Sequence, residues 1–160
     1  IVSHTKGEVS AVTASKIVRA VHKYSFLHGV DPDIVFKIIQ NESTYNHTVK
    51  AKTSNATGLM QIIPRWHRDK IQGRNLRNID VNIEVGVRIY KEYLGLSSDN
   101  PRHALWRYHG GKTKKQYAQK ILRTRDKSIT VPSNTPEPME LAFNRALCGI
   151  RPVECRTDDS

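Results

Sequence analysis

The chain has 160 residues, 38% of them hydrophobic, and a formal charge of +11 from 26 Lys and Arg set against 15 Asp and Glu. That length supports one domain with a real core, and ordinary Gly and Pro counts exclude a disordered or low-complexity chain. No apolar run is long enough to cross a bilayer, and the first ten residues lack the apolar core of a signal peptide.

In chain order, residues 1–14 read as an N-terminal extension. Ser15 to Leu27 carries Ile17, Val18, Val21, Tyr24 and Leu27 at helical spacing, with Gly29 placed to end the helix. Asp31-Pro32 is a cap followed by Pro at the first helical position. The helix it opens puts Ile34, Val35, Ile38 and Ile39 on one face. Pro64 opens a short helix through Trp66. Asp80 or Asn82 caps the next, which carries Ile83, Val87, Tyr90 and Leu94. Asn100-Pro101 repeats the cap-plus-Pro signal ahead of Leu105, and Tyr117, Ile121 and Leu122 mark a further helix. Residues 126–138 turn polar and Pro-containing, as a linker does, and 140–147 suit a last short helix. The class is mainly α, with at most a small sheet or hairpin between Tyr45 and Gln61. A start at Ile1 rather than Met reads as a processed or excised form.

Glu42 lies four residues after Ile38 and three after Ile39, so it continues their inward stripe. A lone carboxylate at the rim of an apolar helix face is what a general acid needs, because burial disfavours its ionised form. The plain alternative is an exposed helix-end residue. The excess of cations points to a polyanionic partner, either nucleic acid or an acidic cell-wall polymer. Charge alone supports nucleic acid, since no aromatic interleaving, helix-turn-helix pattern or finger spacing accompanies it. His22 and His28, like His103 and His109, stand six apart and do not share a helical face, and His67 and Asp69 lack a third ligand; neither a metal nor another cofactor is expected.

Four stretches in order resemble one family. HGVDPDIVFKIIQNES looks like the approach to its catalytic glutamate, with Glu42 in that position. Asn55-Ala56-Thr57-Gly58-Leu59-Met60-Gln61 is similar to its second motif, with Asn55 where Gly is usual. Val81-Asn82-Ile83-Glu84-Val85-Gly86 resembles the next helix start, and Ala104-Leu105-Trp106-Arg107-Tyr108-His109-Gly110-Gly111 the last motif, whose Tyr sits over the carboxylate. The family is the lysozyme-like lytic transglycosylases, which cleave the glycan strands of peptidoglycan. The resemblance covers about residues 15–125 and departs at Lys52, where Ser is frequent, and at His109, where Asn is usual.

The resemblance implies a lysozyme-like fold in which Glu42 acts first as acid and then as base, and Tyr108 bonds near it. It implies that Ser43, Thr53, Ser54, Gly58, Leu59, Met60, Gln61 and His109 meet the sugar, with Met60 lining the cleft by apolar contact. Packing is the alternative for Met60, a core hydroxyl for Tyr108 and a tight turn for Gly58. A hydrolytic muramidase on the same fold would need a second carboxylate, with Asp80, Glu84 or Asp69 the candidates. A non-catalytic wall-binding protein is the third reading. The implied partners are peptidoglycan strands and a secretion, conjugation or phage assembly, with no specific nucleic acid. The implied place is the periplasm or envelope, or a phage particle. Outside the cytoplasm, Cys148 and Cys155 are expected to close a small disulfide loop; in a reducing one they would be free thiols.

Overall fold

The computed structural model describes residues 9–123, and they form a helical body. Its helices are α1 (Ala11–His28), α2 (Pro32–Ser43), α3 (Arg68–Ile71), α4 (Ile79–Gly95), α5 (Pro101–His109) and α6 (Lys114–Arg123), with a single 3-10 turn at Pro64–Trp66. Among the described residues there is no sheet. In the segment where the sequence allows a hairpin, isolated bridges join Lys50 to Thr57 and Thr57 to Ile62. The expectations placed on residues 126–160, including the Cys148–Cys155 pair, lie outside the described residues.

Local chemistry sets the helix ends. Ser10 caps α1, its hydroxyl accepting from the Thr13 N–H at 3.2 Å, so the helix starts four residues earlier than Ser15. Ser and Thr oxygens satisfy the N–H groups a first turn leaves open. Gly29 ends α1 at φ 60°, the left-handed geometry in which a side chain is costly. Asp31 caps α2 and Asn100 caps α5, each followed by Pro, as the sequence indicates. The cap of α4 is neither Asp80 nor Asn82 but Asn78, whose side chain accepts from the Asp80 and Val81 N–H groups.

α1 packs on α4 and α2, α4 packs on α5, and α6 packs on α5 and on α2. Ile17, Val21, Val35, Ile38, Ile39, Leu59, Met60, Ile83, Tyr90, Leu105 and Ile121 are fully buried at their centre. Aliphatic side chains of this kind each contribute about 1.5–3 kcal/mol on burial. Leu59 and Met60 come from a loop, and they make the segment 49–62 part of the core rather than a flap upon it.

Candidate active site

The loop after α2 is held by its own backbone and by one side chain of α4. Gly58 N–H donates to the Val49 carbonyl at 2.8 Å, Thr57 and Ile62 exchange two bonds, and Gln61 N–H donates to the Gly58 carbonyl. Asn55 adopts φ 59°, so it performs the left-handed turn that the sequence pattern assigns to Gly. Asn82 has no exposed surface and is the tie to α4. Its Oδ1 accepts from the Met60 N–H at 2.8 Å, and its Nδ2 donates to the Thr57 and Leu76 carbonyls at 3.0 and 2.8 Å. Gly58, at φ 78°, passes so close that an added Cβ would sit 2.5 Å from the Leu76 oxygen and 2.8 Å from Asn82 Cγ. Gly86 leaves the slot on α4 that the Met60 side chain fills; a Cβ there would fall 2.9 Å from Met60 Cε.

Glu42 ends α2 half-buried, on the turn that the Ile38 and Ile39 stripe predicts. Loss of water around it raises its pKa above the ordinary carboxylate value. The Tyr117 hydroxyl, acting as a hydrogen-bonding group, and the charge of His109 pull it partway back. The same enclosure pushes the Tyr117 hydroxyl far above an ordinary phenol, by burial first and by the neighbouring Glu42 charge second. Tyr117 Oη is buried yet closes no hydrogen bond of ordinary geometry with a described residue, so its approach to Glu42 stops short of a formed bond. The His109 ring stacks on Tyr117 at 4.4 Å between centroids, and its Nε2 lies 2.9 Å from Thr113 Oγ1. Tyr108 is committed elsewhere: its hydroxyl donates to the Met60 carbonyl at 2.8 Å, while its ring meets Tyr90 and Tyr93 edge-on. Burial, and then Glu42's charge, hold the Tyr108 phenol well above its usual range.

The residues expected to meet sugar divide into groups. Ser43 is buried and spends its hydroxyl on the Ile39 carbonyl at 3.0 Å. Leu59 and Met60 expose nothing, so their side chains are packing rather than cleft wall. Gln61 donates to the Gly58 carbonyl at 2.9 Å and lines a 60 Å³ cavity with Trp66, Tyr93, Arg107, Tyr108 and Gly110. Thr53 and Ser54 line a separate cavity of about 670 Å³ with Lys50, Arg65 and Arg68, and Ser54 Oγ accepts from the Ala56 N–H. Sequence reasoning missed two residues. In the sequence Tyr117 marks only a helix, although helical spacing from Ile121 places it on the inner face of α6. Asn82 has the pattern of a helix start, and nothing local shows that its amide reaches three backbone groups outside α4.

The candidate second carboxylates are engaged with other groups. Glu84 pairs with Arg74 and Arg88, Asp69 with Lys70, and Asp80 accepts from the Tyr24 hydroxyl at 2.5 Å beside Lys23. None of them is among the groups that shift Glu42.

With that geometry in view, the family model described as Transglycosylase SLT domain matches residues 19–131, well over half of the chain. No curated protein matches it.

Proposed function

The chain belongs to the transglycosylase SLT family, whose domains act on peptidoglycan, and from that premise we propose that it is a lytic transglycosylase with Glu42 as its single acid and base. The observation that carries this reading is a desolvated Glu42 with raised proton affinity, influenced by tyrosine and histidine and, among the described residues, by no second carboxylate. Hydrolysing glycosidases generally need two carboxyl groups, one to give a proton and one to attack or to activate water. A lone carboxylate suffices when the substrate supplies its own nucleophile.

Glu42 donates its proton to the oxygen linking N-acetylmuramic acid to N-acetylglucosamine, and that bond breaks. The adjacent acetamido group shares the positive charge that develops at the anomeric carbon. The carboxylate left on Glu42 then takes the proton of the muramic 6-hydroxyl as its oxygen attacks that carbon, closing a 1,6-anhydro ring. No water is consumed, and Glu42 ends protonated as it began. Tyr117 is placed to hydrogen-bond the carboxylate in its ionised interval, and His109 to favour that state by charge. Tyr108 is a positioning residue that holds the Met60 carbonyl and with it the loop floor. The working place on this reading is the periplasm or envelope, or a phage particle that meets the wall.

Mass spectrometry of muropeptides released from purified peptidoglycan tests the reaction. Products with 1,6-anhydro-muramic ends, one water lighter than the hydrolytic ones, are expected; reducing ends would overturn it in favour of a hydrolase. Tyr117→Phe is expected to slow release by about ten- to a hundredfold, the cost of one transition-state hydrogen bond. It should also move the pH limb set by Glu42 upward, because Tyr117 lowers that group's proton affinity. An unchanged limb would mean that Tyr117 acts only through packing.

A further inference from the structure

The outward face of α1 carries a pattern that the proposed reaction does not use. Val12, Lys16, Arg19, Lys23 and Phe26 follow one another at steps of four, three, four and three residues, which keeps them in one line along a helix. All five are exposed, as is Leu27 beside the last of them. The apolar members are unusually bare: Phe26 is 87% exposed, Val12 66% and Leu27 60%. At 1.5 Å per residue the stripe runs about 22 Å, with cations in the middle and apolar groups at both ends.

Two of the cations are unpaired and the third is loosely held. Neither Lys16 nor Arg19 forms an ion pair among the described residues, while Lys23, on an open surface, donates to the Tyr24 hydroxyl at 3.2 Å and meets Asp80 at 4.0 Å. Beside the stripe lies a hollow of about 460 Å³, lined by these three residues together with Arg77, His47 and Asp80. Asp80 is the one carboxylate on its wall. A singly charged phosphate group entering there meets an excess of positive charge.

We propose that this face of α1 docks the protein on an anionic lipid bilayer, with Lys16, Arg19 and Lys23 at the level of the phosphate headgroups and Phe26, Leu27 and Val12 dipping below them. The charge pattern complements such a surface, and the bare Phe26 selects it over other polyanions. A phosphodiester polymer would use the cations and leave Phe26 in water, whereas a membrane interface takes both. The stripe is also convex, which suits a plane better than a partner helix seeking a groove. Among the described residues no helix is long and apolar enough to cross a membrane, so the association is peripheral.

The test is co-sedimentation of the full chain with vesicles of phosphatidylcholine, with and without about one third phosphatidylglycerol. Binding is expected only to the anionic vesicles. The double variant Lys16→Gln/Arg19→Gln should weaken it by about 30-fold, at roughly 1 kcal/mol for each basic residue near an anionic surface. Phe26→Ser should weaken it independently. Lys91→Gln/Arg102→Gln removes the same charge from exposed positions elsewhere and should leave binding within about twofold. Circular dichroism melts check that each variant is folded, and release of soluble muropeptides should be unchanged in all of them. No binding, equal binding to neutral vesicles, or equal loss in the Lys91/Arg102 control would overturn the proposal. Indifference to Phe26→Ser would also overturn it, because the stripe would then be a general polyanion surface. None of these outcomes depends on which bond the enzyme cleaves.

Discussion

Glu42→Gln is expected to reduce muropeptide release by about a thousandfold or more while the protein stays folded, since the amide keeps the shape and cannot give or take the proton. The same change should make the protein more stable at neutral pH. The sign follows from the direction of the shift: Glu42 in the folded chain holds its proton above the ordinary value of 4.5, because burial penalises the charge. The folded state therefore binds more protons than the unfolded state across that interval, and stability falls as pH rises from the ordinary value to the raised one. The contribution of Glu42 is fully present below the ordinary value and lost above the raised one. Gln carries no such dependence, so thermal melts of the two proteins should diverge as pH rises, with the variant melting higher at neutrality. Retained cleavage would sink the assignment of Glu42. A variant that melts lower at neutral pH would show the carboxylate to be a structural partner rather than a desolvated acid.

The second large effect is expected at Asn82. Asn82→Ala leaves two buried backbone groups without their partner, the Met60 N–H and the Leu76 carbonyl, and takes one of two donors from the Thr57 carbonyl, which keeps the Ile62 N–H. Each buried group left unsatisfied costs about 1–3 kcal/mol, so a loss of roughly 2–5 kcal/mol is expected. That is a large share of the roughly 5–15 kcal/mol available to a domain of this size. Asn78→Ala is the internal comparison, because it removes only a helix cap, worth about 1 kcal/mol. Denaturant midpoints of the two variants decide the matter. If Asn82→Ala costs no more than Asn78→Ala, Asn82 is not the tie that holds the loop.

The sequence makes one part of this molecule legible and hides another for physical reasons. Asp31-Pro32 and Asn100-Pro101 announce helix starts because cap and Pro act within one turn, and the Ile34 to Ile39 face announces burial because its period is local. The position of Glu42 follows from the same period. The cap of α4 is ambiguous in the sequence because Asn75, Asn78, Asp80 and Asn82 stand within eight residues, and any of them has the chemistry of a cap. What separates them is tertiary: Asn82 is spent on a loop more than twenty residues upstream. The two tyrosines are a similar case. Tyr108 and Tyr117 are nine residues apart on successive helices, and only the packing of α6 on α2 decides which hydroxyl comes near Glu42. Met60 reads as cleft lining from its motif, while the missing side chain of Gly86 draws it into the core.

The slot at Gly86, with the amide of Asn82 one turn before it, has a consequence for the order in which the molecule becomes competent. The loop that follows the acid has no strands of its own and takes its shape from α4. Tyr117 arrives later still, at the end of the described chain. Contacts this distant in sequence form late, after closure entropy has been overcome. A chain emerging from synthesis carries Glu42 early but no working site until α4 has docked and α6 has closed over it. On the proposed reading, residue order delays cleavage until the described helices have come together.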